Sequence, residues 1–228
     1  MKKKVIAVLL VLVLVAGAVS AKEVGVKVGA ELGWGFDIVK STLTTKVLSK
    51  STSTVSKYYN NGFAGNLTAE YDFNEYFGVK ASFGLMFAGK ANEKIGDNDK
   101  KEIGTEKSGT YIDAALDAKY SVALSDSLSL SALAGVEIVS GYISKSSSSD
   151  ANKYTKNFAF GLNAGAELSY DIAKNIDLNL GCTVAWLFTN NAKILEGKSA
   201  SDSTTDSGIS YKSTSFYVRP YVGCTYAF

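Results

Sequence analysis

Residues 216–228 alternate in character. Phe216, Val218, Pro220, Val222, Cys224, Tyr226 and Phe228 form an apolar row, and Tyr217, Arg219, Tyr221, Gly223, Thr225 and Ala227 form a mixed one. A period of two predicts a strand with one apolar face, and this stretch is long enough for a tilted strand to cross a bilayer. The same pattern, read at every second residue, recurs from Val24 to Phe36, Phe63 to Phe73, Phe77 to Phe87, Ile112 to Val122, Leu128 to Ile138, Phe158 to Tyr170 and Ile176 to Phe188. The eight apolar rows hold about fifty positions and none is charged, whereas the chain's 20% charged share would place about ten there.

The connections alternate in length. Short ones fall at Asn74–Tyr76, Ala123–Ser127 and Asp171–Asn175, and long polar ones at 37–62, 88–111, 139–157 and 189–215. In an up-and-down meander this puts the short turns at one rim and the long loops at the other, as in an outer-membrane barrel with periplasmic turns and extracellular loops. The predicted class is all-β: an eight-stranded antiparallel up-and-down transmembrane β-barrel.

A soluble barrel has the same period with its apolar face inward. Two features point the other way. The mixed row carries Gly29, Gly33, Gly78, Gly84, Gly135, Gly161, Gly165, Gly181 and Gly223, and Gly weakens a solvent-facing strand but suits the crowded interior of eight strands. Aromatics also stand ten apart on the apolar rows, at Phe63/Phe73, Phe77/Phe87, Phe160/Tyr170 and Phe216/Tyr226. Ten residues tilted by ~40° rise about 25 Å, the height of the apolar band between two aromatic girdles. Pro220, which lacks a ladder donor, predicts a bulge in the last strand.

The start of the chain is different. Lys2–Lys4, the apolar run Val5–Val15 and the small residues Val19-Ser20-Ala21 read as a secretory signal peptide over 1–21, leaving 22–228 as one barrel domain. Losing three lysines takes the formal net charge from +2 to −1, with no basic excess for nucleic acid. The chain has no His, which excludes Ser–His and Cys–His nucleophile pairs, and no metal site or cofactor is expected. Asp97 and Asp99 are adjacent loop acids of the kind that are ordinarily solvated. Cys182 and Cys224 lie on apolar rows of neighbouring strands, where antiparallel pairing could set them opposite each other or leave them as two small lipid-facing residues.

These rows, ending on Phe228, resemble the small eight-stranded outer-membrane barrels of the OmpA-transmembrane-domain, OmpX and OmpW type. The resemblance implies the bacterial outer membrane, a monomer in lipid, and a C-terminal strand ending in Phe228 that the barrel-assembly machinery reads. It implies a non-enzymatic role, as adhesin, antigen or envelope stabiliser, through the four long loops, which are also where an extracellular ligand would bind. A small pore or carrier for hydrophobic or small polar solutes is the alternative.

Charges gather on the inward rows. Lys27, Glu70, Lys80, Lys119 and Glu167 fall about three residues above the turn end, Glu31 and Asp117 next, and Asp113, Glu137 and Arg219 higher. Such a network either fills the tube or gates a solute path. Arg219 is the sole arginine and needs a buried acid as partner. Glu31 on the adjoining first strand is the nearest candidate, with Glu137 and Asp113 across the lumen.

Overall fold

The computed structural model describes residues 25–47, 50–95, 101–102, 109–147, 150–190, 193–196 and 209–228. The signal-peptide segment 1–21, Asp97 and Asp99 lie outside them. Eight long strands form the wall: β1 (Gly25–Val47), β2 (Lys50–Asp72), β3 (Phe77–Ile95), β5 (Gly109–Ser125), β6 (Leu128–Ser147), β7 (Asp150–Ala173), β8 (Ile176–Asn190) and β10 (Ile209–Ala227). Two short pieces, β4 (Lys101–Glu102) and β9 (Lys193–Glu196), add to β3 and β7. Each long strand pairs antiparallel with the next, and β10 pairs with β1, so the sheet closes into a barrel and leaves no edge in the wall.

The side on which each residue falls fixes what surrounds the barrel. Leu67 is 67% exposed, Leu116 56% and Leu162 59%, whereas Glu137 and Glu167 are 1% exposed. Water would invert this order. Leucines outside and carboxylates inside are stable only with lipid around the wall. Aromatics of the apolar rows meet at both rims. Tyr71 packs on Phe73, Phe77 on Tyr120 and Tyr226 on Phe228 at the turn end, and Phe160 packs on Phe188 at the other.

The turns are tight because side chains and strand ends close them. Asn74 Oδ1 accepts from the backbone N–H groups of Tyr76 and Phe77 at 2.9 and 2.8 Å. The other two turns narrow to Asp126–Ser127 and Lys174–Asn175, since β5 runs to Ser125 and β7 to Ala173 with a register shift beside each turn. The chain end is tied on both sides: Ala227 N donates to Asn175 O and Phe228 N to Val26 O.

Two expectations are corrected. The stretches 37–62, 88–111, 139–157 and 189–215 are in large part paired strand. β1 and β2 stay in register to Val47↔Lys50, and β6 and β7 reach Ser147↔Asp150. Past the girdle there is no lipid to face, so apolar alternation stops while Thr, Ser, Val and Tyr still pair well in a ladder. Pro220 makes no bulge. Its register with β8 runs unbroken, and the ladder to β1 simply skips from Gly33↔Tyr221 to Phe36↔Val218. A missing donor costs one rung without requiring an extra residue, and the shift in β10 lies at Ser213/Ser215 instead. Of the two arrangements open to the cysteines, the structure shows the lipid-facing one: Cys182 and Cys224 are free and exposed. The register sets Cys182 opposite Pro220 and Cys224 opposite Leu178, so the two thiols are not a facing pair.

Leu116→Arg, on the lipid face at mid-strand, is expected to cost about 2–4 kcal/mol of folding in lipid, and Asp117→Asn, one residue on and facing inward, less. Urea titrations of liposome-refolded protein measure both. The opposite order would mean the wall is inside out.

Candidate functional site

The lumen holds an ionic chain that starts at the turn-end mouth. There Lys27 Nζ lies 2.9 Å from Asp177 Oδ2 and 3.8 Å from Asp72 Oδ2. Asp72 also meets Lys119 at 3.0 Å, and Lys119 donates to Glu70 at 2.5 Å. Glu70 lies 3.5 Å from Lys80, whose ammonium contacts Glu31 at 2.7 Å and also pairs with Glu167. Tyr221 donates its hydroxyl proton to Glu167 at 2.8 Å, and its ring lies beneath the Lys80 ammonium at 5.4 Å. Lys80 is thus shared by three carboxylates from three other strands, in the middle of the tube.

Neutral Asn66 continues the chain. Its amide donates to Glu31 Oε2 at 3.3 Å, and its carbonyl oxygen accepts from Arg219 Nη1 at 3.0 Å. Arg219 Nη1 also reaches Asp113 Oδ1 at 3.2 Å, with the guanidinium 5.4 Å from the Tyr217 ring centre. Polar contacts therefore run without a break from Asp177 at the mouth to Asp113 in the upper lumen. Sequence reasoning missed Asn66, Asp72, Asp177 and Tyr221. Their position on inward rows was the available signal, but a neutral amide and residues beside the turns carry no charge-layer label.

Several expected groupings change. Lys27 leaves the expected layer of lysines for the mouth and is the most exposed of these cations, its side chain 27% accessible. Of the three acids named for Arg219, Asp113 across the barrel is its partner, whereas Glu31, the candidate on the adjoining strand, is taken by Lys80. Adjacency of β10 and β1 brings Glu31 near in sequence terms, but strand tilt and shear lift Arg219 above it. Asp117 and Glu137 are buried on the inward face, and among the described residues none donates a hydrogen bond to Asp117 Oδ1 or Glu137 Oε1.

Register explains how so many large side chains fit. Glu31 faces Gly223, Asp113 faces Gly84, Asp117 faces Gly135, Glu137 faces Gly161 and Glu167 faces Gly181. Each of these acids has a glycine as its cross-strand partner on one side. At Gly84 the need is steric, since an added Cβ would stand 1.9 Å from Asn66 Oδ1 and 2.9 Å from Asp113 Oδ1. The small residues of the mixed rows are therefore the space into which the ionic chain folds.

An antiparallel wall with lipid-facing leucines, two aromatic rims and a charged interior defines an integral outer-membrane β-barrel. The family model described as outer membrane protein beta-barrel domain matches residues 6–219, and the chain belongs to that family, whose place is the bacterial outer membrane. Among solved structures, Neisserial surface protein A (NspA) is similar at TM-score 0.52 and 13% identity, covering 89% of this chain and 97% of that one. OprG from Pseudomonas aeruginosa is similar at TM-score 0.52 and 14% identity, covering 90% and 97%. At these identities the likeness concerns the fold. No curated protein sequence matches.

Lys80→Met is expected to cost about 3–5 kcal/mol, because it leaves Glu31 and Glu167 buried without their shared cation. Adding Glu31→Gln and Glu167→Gln should restore much of that loss in liposome urea titrations. A loss under about 1 kcal/mol for Lys80→Met would mean the cluster is hydrated and not a packed core.

Proposed function

We propose that this protein is a non-enzymatic outer-membrane barrel that acts through its outward β-hairpins, as an adhesin, surface antigen or envelope-stabilising protein. Burial inside the lumen supports this reading best. Glu31, Glu70, Lys80, Asp113, Asp117, Glu137, Glu167 and Arg219 are all buried to within 4% of full enclosure, so at their height the tube is filled by packed side chains. A conducting pore needs those side chains wet. The part that reaches outward is different in kind. From Phe36 to Val47, β1 continues roughly 35 Å along its own direction, paired with β2 on one side and, as far as Thr45, with β10 on the other. The outward part is thus ladder-paired backbone and not open loop, a framework that holds whatever a partner meets in fixed register. Acid–base chemistry is disfavoured by the lack of His anywhere in the chain.

The refolded protein in planar bilayers is expected to show no resolved conductance steps, and Arg219→Ala is expected to raise its leak. A variant with residues 43–54 replaced by a two-residue turn is expected to keep heat-modifiable migration and to lose binding to matrix or serum components. Discrete steps from the unaltered protein would favour the carrier reading over this one.

A further inference from the structure

The lipid-facing rows end on charge at both rims, but not on the same charge. On β1 the row runs Trp34, Phe36, Ile38 and then Lys40, and on β2 it runs Phe63, Asn61, Tyr59 and then Lys57. On β3, β7 and β10 the first charged residues past Phe87, Phe158 and Phe216 are Lys90, Lys156 and Lys212. On all five strands the first charge beyond the outer aromatics is thus a lysine. The turn rim is mixed, with Glu75, Asp126 and Lys174 exposed there.

Two of these lysines face each other. The register sets Lys40 directly opposite Lys57, two residues above the facing pair Ile38↔Tyr59, and both lysines are exposed. On its other side Lys57 stands opposite Lys94 of β3. Cross-strand partners on one face hold their Cβ atoms about 5 Å apart, and like charges there repel. An anion seated between the two ammoniums turns that repulsion into attraction. Glu102 of β4 is brought to the far side of β3, opposite Asn92, two strands away from Lys57.

The place of the pair defines the anion. Lys40 stands about 5 Å higher than Ile38 along the barrel, where the apolar wall gives way to headgroups. Below it Ile38, Phe36 and Phe63 are exposed and apolar, a surface for an acyl chain. A phosphomonoester carries nearly two negative charges at neutral pH and three acceptor oxygens, which matches two ammoniums with three donors each. We infer that Lys40 and Lys57 form a binding site for the phosphate headgroup of an anionic lipid in the outer leaflet, with the lipid's chain against Ile38, Phe36 and Phe63. The site lies on the lipid side of the wall and is read from lipid contact, so its failure and that of the function proposed above are distinct.

Trp34 makes the test local. It lies on the row of Lys40, opposite Phe63, and the chain's other tryptophan is Trp186. The full chain carrying Trp186→Phe is refolded at neutral pH into phosphatidylcholine liposomes. A fixed share of the lipid is replaced by lipid with brominated acyl chains, either phosphatidylcholine or phosphatidic acid. Bromine quenches an indole that it touches, so the fluorescence loss reports which lipid occupies the wall at Trp34. Phosphatidic acid is expected to be preferred about tenfold over phosphatidylcholine. Lys40→Gln with Lys57→Gln should abolish the preference, and Lys40→Arg with Lys57→Arg should keep it. Brominated stearate, an anion without phosphate, should be preferred less, and inorganic phosphate at the concentration of the lipid should leave the preference in place. The inference is overturned if both brominated lipids quench Trp34 equally, if the preference survives in the glutamine variant, if stearate matches phosphatidic acid, or if inorganic phosphate removes the preference. Should the double glutamine variant not refold, Lys57→Gln alone carries the comparison.

Discussion

Everything inside this barrel follows from one constraint: charges enclosed by a narrow wall, with lipid outside it, must find their partners within the tube. Water cannot serve residues that are nearly wholly enclosed, and an unpaired ion there would cost several kcal/mol. The chain meets this with cations shared among several acids. Lys80 serves Glu31, Glu70 and Glu167, Lys119 serves Glu70 and Asp72, and Arg219 serves Asp113 and Asn66. Sharing requires side chains from opposite walls to reach one point, which is why glycines stand opposite Glu31, Asp113, Asp117, Glu137 and Glu167. The outer face carries the complementary requirement, an uncharged apolar row on every strand.

Parity made most of this legible in the sequence. A residue's place on an odd or even row assigns it to lipid or lumen without any knowledge of contacts, so the strand set, the closed wall and the inward position of Glu31, Lys80, Glu137 and Arg219 could be read directly. Height around the barrel could not. Lys27 and Lys80 look level when counted from the turns, yet Lys27 joins Asp177 at the mouth and Lys80 sits among three glutamates. For Arg219 the rows offer Glu31 on the adjoining strand and Asp113 and Glu137 at similar height, and only the structure selects Asp113.

The other gaps have a common cause. Alternation reports a contrast between two environments, and it falls silent where that contrast ends. Beyond Phe36 the ladder of β1 and β2 continues to Val47↔Lys50 with no apolar row to announce it. The chemistry of Pro220 taken alone predicts a bulge, but loss of one donor leaves the register with Cys182 intact. Asn66 escaped notice because it is neutral, although it is the group that joins the lower ion pairs to Arg219.

The claim that the lumen is a packed ionic core, closed to water, can be tested at Ser131. This residue is 1% exposed, shares a hydrogen bond with Ser121 at 2.8 Å and stands opposite Glu167 in register, so cysteine can replace it with little change in shape. Ser131→Cys is made with Cys182→Ser and Cys224→Ser, refolded into liposomes and treated with a small, membrane-impermeant cationic thiol reagent on both sides. The account predicts no labelling of the folded barrel and full labelling once urea unfolds it. Rapid labelling of the folded protein would show a water-filled path at the level of Lys80 and Glu167, and would contradict it.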